Sequence, residues 1–140
     1  MAAEDEELKS VTVTSERISP KRTEVRTDDA ELVIGGDATP LEYLQGALAA
    51  CLSSTGSYVA REMGIDLEDL EITIAGGYDP EVFLGESEDR AGFQGFDVEV
   101  AVEADADEET LETWLEEVER RCPVSDTVQA STPVSLSLDG

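Results

Sequence analysis

Histidine is absent from the 140 residues and cysteine occurs only twice. Without an imidazole there is no Ser-His triad and no Cys-His pair, so hydrolysis by those routes is excluded. The commonest zinc ligand is missing as well, and no Cys-x-x-Cys pair replaces it, so no metal site is expected. Lysine is nearly missing: Lys9 and Lys21 are the only two, and 34 acidic against 9 basic residues give a net charge of −25. Such a surface repels phosphate backbones and anionic bilayers, which argues against nucleic-acid and membrane partners. No GxxxxGK[ST] loop occurs, and the glycine pairs at 35–36 and 76–77 fit no dinucleotide fingerprint. No cofactor is therefore expected. The longest strongly apolar stretch, around GALAACL, is too short to span a bilayer, and MAAEDEELKS has neither the basic nor the apolar region of a secretory signal. The expectation is a cytoplasmic protein.

What is present is a foldable chain. Hydrophobic residues make up 40% of it and acidic residues occur in nearly every segment, unlike a disordered acidic tail. Acid enrichment with lysine depletion resembles the composition of proteins from salt-loving organisms, and the charge is read as adaptation to a halophilic solvent rather than as chemistry. The length fits a single domain over residues 1–140, with residues 1–7 as a flexible acidic N-terminus.

Residues 8–35 have β character: Val11 and Val13 alternate with Thr12 and Thr14, and Val25 and Leu32-Val33-Ile34 follow the turn signal at Ser19-Pro20. Two or three strands fit there. A long helix follows, with Thr39 as N-cap, Pro40 at the first position, Glu42 in the first turn and Gly64 at the C-terminal stop. Leu41, Leu44, Leu48, Cys51, Leu52, Thr55 and Tyr58 share one stripe of it. Gly46 and Gly56, within a run of small residues, each cost about 1 kcal/mol in a helix and so suggest the close approach of another element.

Beyond the helix, Leu70, Ile72 and Ile74 alternate, as do Phe96, Val98, Val100 and Val102. A second helix is expected from a cap at Asp105 or Asp107, with Leu111, Trp114, Leu115, Val118 and Cys122 on one face. Val134, Leu136 and Leu138 read as a final strand. The class is α+β, with mostly antiparallel strands.

The cysteines carry two readings. Either can pack as a small buried hydrophobe. Alternatively, Cys122, set before Pro123, ends the second helix while the proline opens a short new one. Its sulfur would then face that helix's free N–H groups, which lower a thiol pKa.

The segments GDATPLEYLQGALAACL and RCPVSDTVQASTPVSLSL resemble the OsmC/Ohr superfamily, of the osmotically inducible and organic hydroperoxide resistance proteins. There, a proline at a helix start precedes a cysteine in a small-residue run by eleven residues, as Pro40 precedes Cys51, and a second cysteine opens a Cys-Pro-Val-Ser helix start, as Cys122 does. The resemblance covers nearly the whole chain. It implies the OsmC-like fold, antiparallel sheets around a long central helix in an intertwined homodimer, with the active site at the dimer interface. It also implies a thiol peroxidase: Cys51 would attack a hydroperoxide and become a sulfenic acid, Cys122 would resolve it as a disulfide, and a dithiol reductant would close the cycle.

One position departs from the family pattern. In the peroxidase branches a glutamate directly follows the helix-opening proline and, with an arginine from the N-terminal strands, orients the thiolate. Here Leu41 stands in that place and the glutamate is Glu42, a Pro-x-Glu form that resembles a less characterised branch. One residue turns a helical side chain by about 100 degrees, so Glu42 does not simply inherit the role. The supporting residues expected from the resemblance are Glu42 and one of Arg17, Arg22 and Arg26, with Arg26 placed first. Two other readings are kept: a dimeric small-molecule binding protein of the same fold, for which Leu41 argues, and a structural dimer with two buried thiols.

Overall fold

The computed structural model describes residues 8–139; the expected flexible segment 1–7 lies outside the described residues. The element order is β1 (Thr14–Ser19), β2 (Arg22–Arg26), β3 (Glu31–Ile34), α1 (Pro40–Met63), β4 (Leu67–Gly76), α2 (Pro80–Phe83), β5 (Phe96–Ala104), α3 (Glu108–Arg121) and α4 (Pro123–Gln129). The class is α+β. The chain divides into two compact units, one running to Leu44 and one beginning at Gln45.

In the first unit β1, β2 and β3 form an antiparallel meander. Thr14 pairs with Arg26 and Thr23 with Ile34. The strands begin at Thr14, later than the Val11–Thr14 alternation suggests, and Val11 and Val13 are exposed. At the start of α1, the Thr39 hydroxyl accepts from the Glu42 N–H at 3.2 Å, and the Glu42 carboxylate accepts from the Thr39 N–H at 2.8 Å. This reciprocal pair is a capping box, which satisfies two backbone donors that a helix start otherwise leaves free.

The second unit contains the buried core. Strands β4 and β5 pair antiparallel, from Leu67 opposite Ala104 to Gly76 opposite Phe96. One face of this hairpin, with Leu70, Ile72, Val100 and Val102, packs on a cluster of Leu48, Leu52, Val59 and Ala60 from α1 with Trp114 and Val118 from α3. Helix α1 stops as expected at Gly64, whose φ of 71° suits a residue without Cβ. The Ile65 N–H reaches back to the Ala60 carbonyl at 2.8 Å, and Ile65 is buried beneath the end of the helix. Helix α3 is capped by Asp107, which accepts from the Thr110 N–H at 2.8 Å.

The expected last strand does not form. Residues 131–139 carry no strand or helix, and Val134, Leu136 and Leu138 are 81%, 92% and 103% exposed. Their alternation is a strand pattern, but among the described residues no neighbouring strand offers them a hydrogen-bond ladder or an apolar face. A strand needs both.

Candidate active site

Cys51 and Cys122 are brought together. Cys51 lies in the middle of α1, where small residues on either side leave it half-buried; Cys122 lies at the α3–α4 junction and is fully buried. Both thiols are free, and Cys51 and Thr55 both lie close enough to the Cys122 sulfur to act on its thiol. They stand 71 positions apart in the chain.

The junction is built as the Cys-Pro order dictates. Cys122 is extended, with φ −80° and ψ 113°, because the proline ring excludes the helical region for the residue before it. The Cys122 N–H closes α3 on the Val118 carbonyl at 3.0 Å, while its own carbonyl accepts the first bond of α4 from Asp126, also at 3.0 Å. One residue thus ends one helix and begins the next, so its backbone position is set by both.

The electrostatics differ from the expectation. Cys122 does face the start of α4, and the Ser125 N–H favours its thiolate, but the sulfur makes no capping hydrogen bond. Burial pushes the Cys122 thiol up, and the neighbouring Cys51 side chain pushes it further the same way. Desolvation outweighs the end of a helix only seven residues long. The proline therefore fixes where Cys122 stands rather than activating it.

Glu42 and Arg26 belong to the first unit. Glu42 is committed to the capping box, and the Thr39 N–H and hydroxyl hold its carboxyl below the ordinary range. Arg26 donates to Glu24 on the same strand. Arg17 is exposed on β1, and the Arg22 side chain lies along Gly36. Of the other residues at the thiol pair, Thr55 stands out in the sequence only as part of the apolar stripe. The Thr39-x-x-Glu42 spacing of a capping box was legible in the sequence and accounts for Glu42 where it stands.

A cavity of about 460 Å³ opens between α1, the first half of β5 and the α3–α4 corner, lined by residues next in sequence or one turn from the cysteines such as Leu52 and Ser125. Leu48, Leu52, Phe96, Val98 and Leu115 give it apolar walls, and Ser125 and Gln129 give it a polar end, where Gln129 Nε2 donates to Ser125 Oγ at 2.9 Å. Neither cysteine lines it. Among the described residues no cluster of potential metal ligands occurs, and no helix is long and apolar enough to cross a membrane.

An α+β chain with two small antiparallel sheets, a central small-residue helix and a dithiol at a Cys-Pro helix junction defines the class. The family of OsmC-like proteins matches residues 34–137, and the chain belongs to that family. Among solved structures it is similar to an OsmC-like protein from Mycoplasma pneumoniae, at 18% identity and TM-score 0.77 over 88% of this chain and 89% of that one. It is similar also to the organic hydroperoxide resistance protein OsmC of Legionella pneumophila, at 20% identity, TM-score 0.58 and coverage of 87% and 90%. The organic hydroperoxide resistance protein of Elizabethkingia anophelis gives 18% identity, TM-score 0.61 and coverage of 89% and 91%. No curated protein sequence matches the chain.

Proposed function

We propose that the protein is a thiol peroxidase for organic or inorganic hydroperoxides, acting through Cys51 and Cys122. The observation that carries this reading is the asymmetric thiol pair: a half-exposed Cys51 against a fully buried Cys122 whose thiol is pushed up by burial. The Cys51 thiolate attacks the terminal oxygen of ROOH, the O–O bond breaks, and RO⁻ leaves and takes a proton as ROH, so Cys51 becomes a sulfenic acid. The Cys122 sulfur then attacks the sulfenic sulfur. The thiol proton and the hydroxide leave as water, and a Cys51–Cys122 disulfide remains. A dithiol reductant returns both thiols.

The names of two structural relatives support this reading, since both are called hydroperoxide resistance proteins. Glu42 and Arg26 are kept as candidate supports for the thiolate, with the capping box as the competing role for Glu42. Loss of peroxide turnover in both Cys51→Ser and Cys122→Ser, with a sulfenic acid trapped only in the second, is the expected result. Full turnover by Cys51→Ser would overturn the reading.

Both units are taken as one OsmC-like domain that functions as a cytoplasmic homodimer. Support for the dimer comes from the exposed alternation of Val134, Leu136 and Leu138, from exposed Val11 and Val13, and from Gly46, where an added Cβ would meet no other part of the chain within 4 Å. The expected solution mass is twice the 15.0 kDa of the chain. The cavity at the α3–α4 corner favours a second reading, a dimeric small-molecule binding protein with little peroxidase activity. That reading predicts a ligand which raises the melting temperature and leaves both thiols free.

A further inference from the structure

The side of α1 that carries Cys51 continues through Thr55, Tyr58 and Glu62, at helical spacings of four, three and four residues. Along this stripe α1 meets the α3–α4 corner twice. Cys51 and Thr55 meet the Cys122 thiol. One to two turns further on, Tyr58 and Glu62 meet Arg121, the residue directly before Cys122. Arg121 donates to both Glu62 oxygens, at 2.8 and 3.4 Å, and to Glu117 at 3.4 Å, and its guanidinium carbon lies 5.5 Å from the centre of the Tyr58 ring. Glu117 is itself held by a two-pronged contact from Arg120, at 2.9 and 3.0 Å. A planar fork shared between one carboxylate across the helix pair and another one turn back, over an aromatic face, is a partly exposed contact that is more directional than a single-pronged surface pair.

We infer that Arg121 is a positioning residue for the resolving step: its ties to Glu62, Glu117 and Tyr58 set the α3–α4 corner in register with α1, so that the Cys122 sulfur stands in line with a sulfenic acid on Cys51. The inference rests on the proposed peroxidase reading. The corner is the part of the fold that must hold its place during that step. The Cys122 backbone is shared between two helices, so a displacement of α3 along α1 carries the sulfur with it. Loss of approach by even an ångström slows such a reaction steeply, whereas the first step, on half-exposed Cys51, does not involve the corner.

The test is stopped-flow oxidation of the reduced full-length protein by an organic hydroperoxide. It separates a first phase proportional to peroxide concentration, sulfenic acid formation, from a second phase independent of it, disulfide closure. Arg121→Met is expected to leave the first phase within about twofold and to slow the second about tenfold, with sulfenic acid accumulating to be trapped by a dione reagent. Glu62→Gln, which removes the same tie from the α1 side, is expected to slow closure in the same direction. The charge exchange Glu62→Arg with Arg121→Glu is expected to restore much of the closure rate that Arg121→Glu alone loses, which a general loss of stability would not do. Unchanged closure in Arg121→Met and Glu62→Gln would overturn the inference, as would equal slowing of both phases. If the wild-type protein never forms the sulfenic acid, the peroxidase reading itself fails; if it does, and closure ignores Arg121, only the positioning role fails.

Discussion

The indole N–H of Trp114 donates to the carbonyl of Gly56 at 2.8 Å, a buried hydrogen bond that ties α3 to α1. A Cβ at position 56 would stand 2.9 Å from the Trp114 ring, so the glycine is what lets the ring lie against the helix backbone. These two helices carry Cys51 at mid-helix and Cys122 at the α3–α4 corner. The contact is therefore part of the framework that keeps the thiols adjacent.

Gly56→Ala gains helix propensity but forces the ring to move within the core. Overpacking of this kind costs about 1–3 kcal/mol, against about 1 kcal/mol of propensity returned. The variant is expected to melt below the wild type, whereas Gly46→Ala, whose added Cβ would meet no other part of the chain within 4 Å, is expected to melt higher at protein concentrations low enough to dissociate the dimer. Thermal denaturation of the two variants side by side checks this. A more stable Gly56→Ala would contradict the packing account.

The thiols are expected to differ in reactivity. In the reduced protein at neutral pH, iodoacetamide should label Cys51 first, because Cys122 is fully buried and its thiol is pushed up by desolvation and by Cys51. Peptide mapping at partial labelling reads the order directly. Labelling of Cys122 ahead of Cys51 would reverse the assigned roles.

Thr39 and Glu42 separate capping from catalysis. Thr39→Ala removes the N-cap and should cost about 1 kcal/mol of stability. Glu42→Gln retains a hydrogen-bonding partner for the Thr39 N–H but loses the charge. If capping is the whole role of Glu42, Glu42→Gln keeps peroxide turnover within about twofold. A hundredfold loss at unchanged melting temperature would instead make its carboxylate a support for the thiolate.

Charge gives opposite expectations for salt and for acid. The net charge of −25 disfavours the compact state through self-repulsion, so the melting temperature should rise as potassium chloride screens it. With repulsion screened, acid should destabilise. Glu42, Glu62, Asp107 and Glu117 have carboxyls held below the ordinary range by hydrogen bonds with Thr39, Arg121, Thr110 and Arg120. A lowered pKa in the folded state adds stability above the ordinary carboxylate range, about pH 4, and that stability is lost as pH falls through the folded value. Melting curves in concentrated salt should therefore fall as pH drops below about 4.

Elements whose partners lie nearby in the chain were legible in the sequence. Thr39, Pro40 and Gly64 marked the ends of α1 because caps and stops are local chemistry, and Cys122-Pro123 marked the α3–α4 junction for the same reason. The alternation in β4 and β5 was legible because each strand has one buried face. The Val134–Leu138 pattern misled because alternation reports a capacity to pair and says nothing about whether a partner strand exists in the same chain. The meeting of Cys51 with Cys122 came from the family resemblance; no local pattern encodes a contact across 71 positions. The raised Cys122 thiol was missed for a related reason. A helix start is visible in sequence, whereas burial, which outweighs it here, depends on the whole tertiary structure.

Intact mass and free-thiol count of the reduced protein, in concentrated salt, before and after one equivalent of an organic hydroperoxide, test the central claim most directly. The expected product is a subunit lighter by two hydrogens with both thiols lost, the Cys51–Cys122 disulfide. Unchanged mass with both thiols still free would contradict a peroxidase and leave the cavity beside Leu48, Leu52 and Ser125 as the feature to pursue.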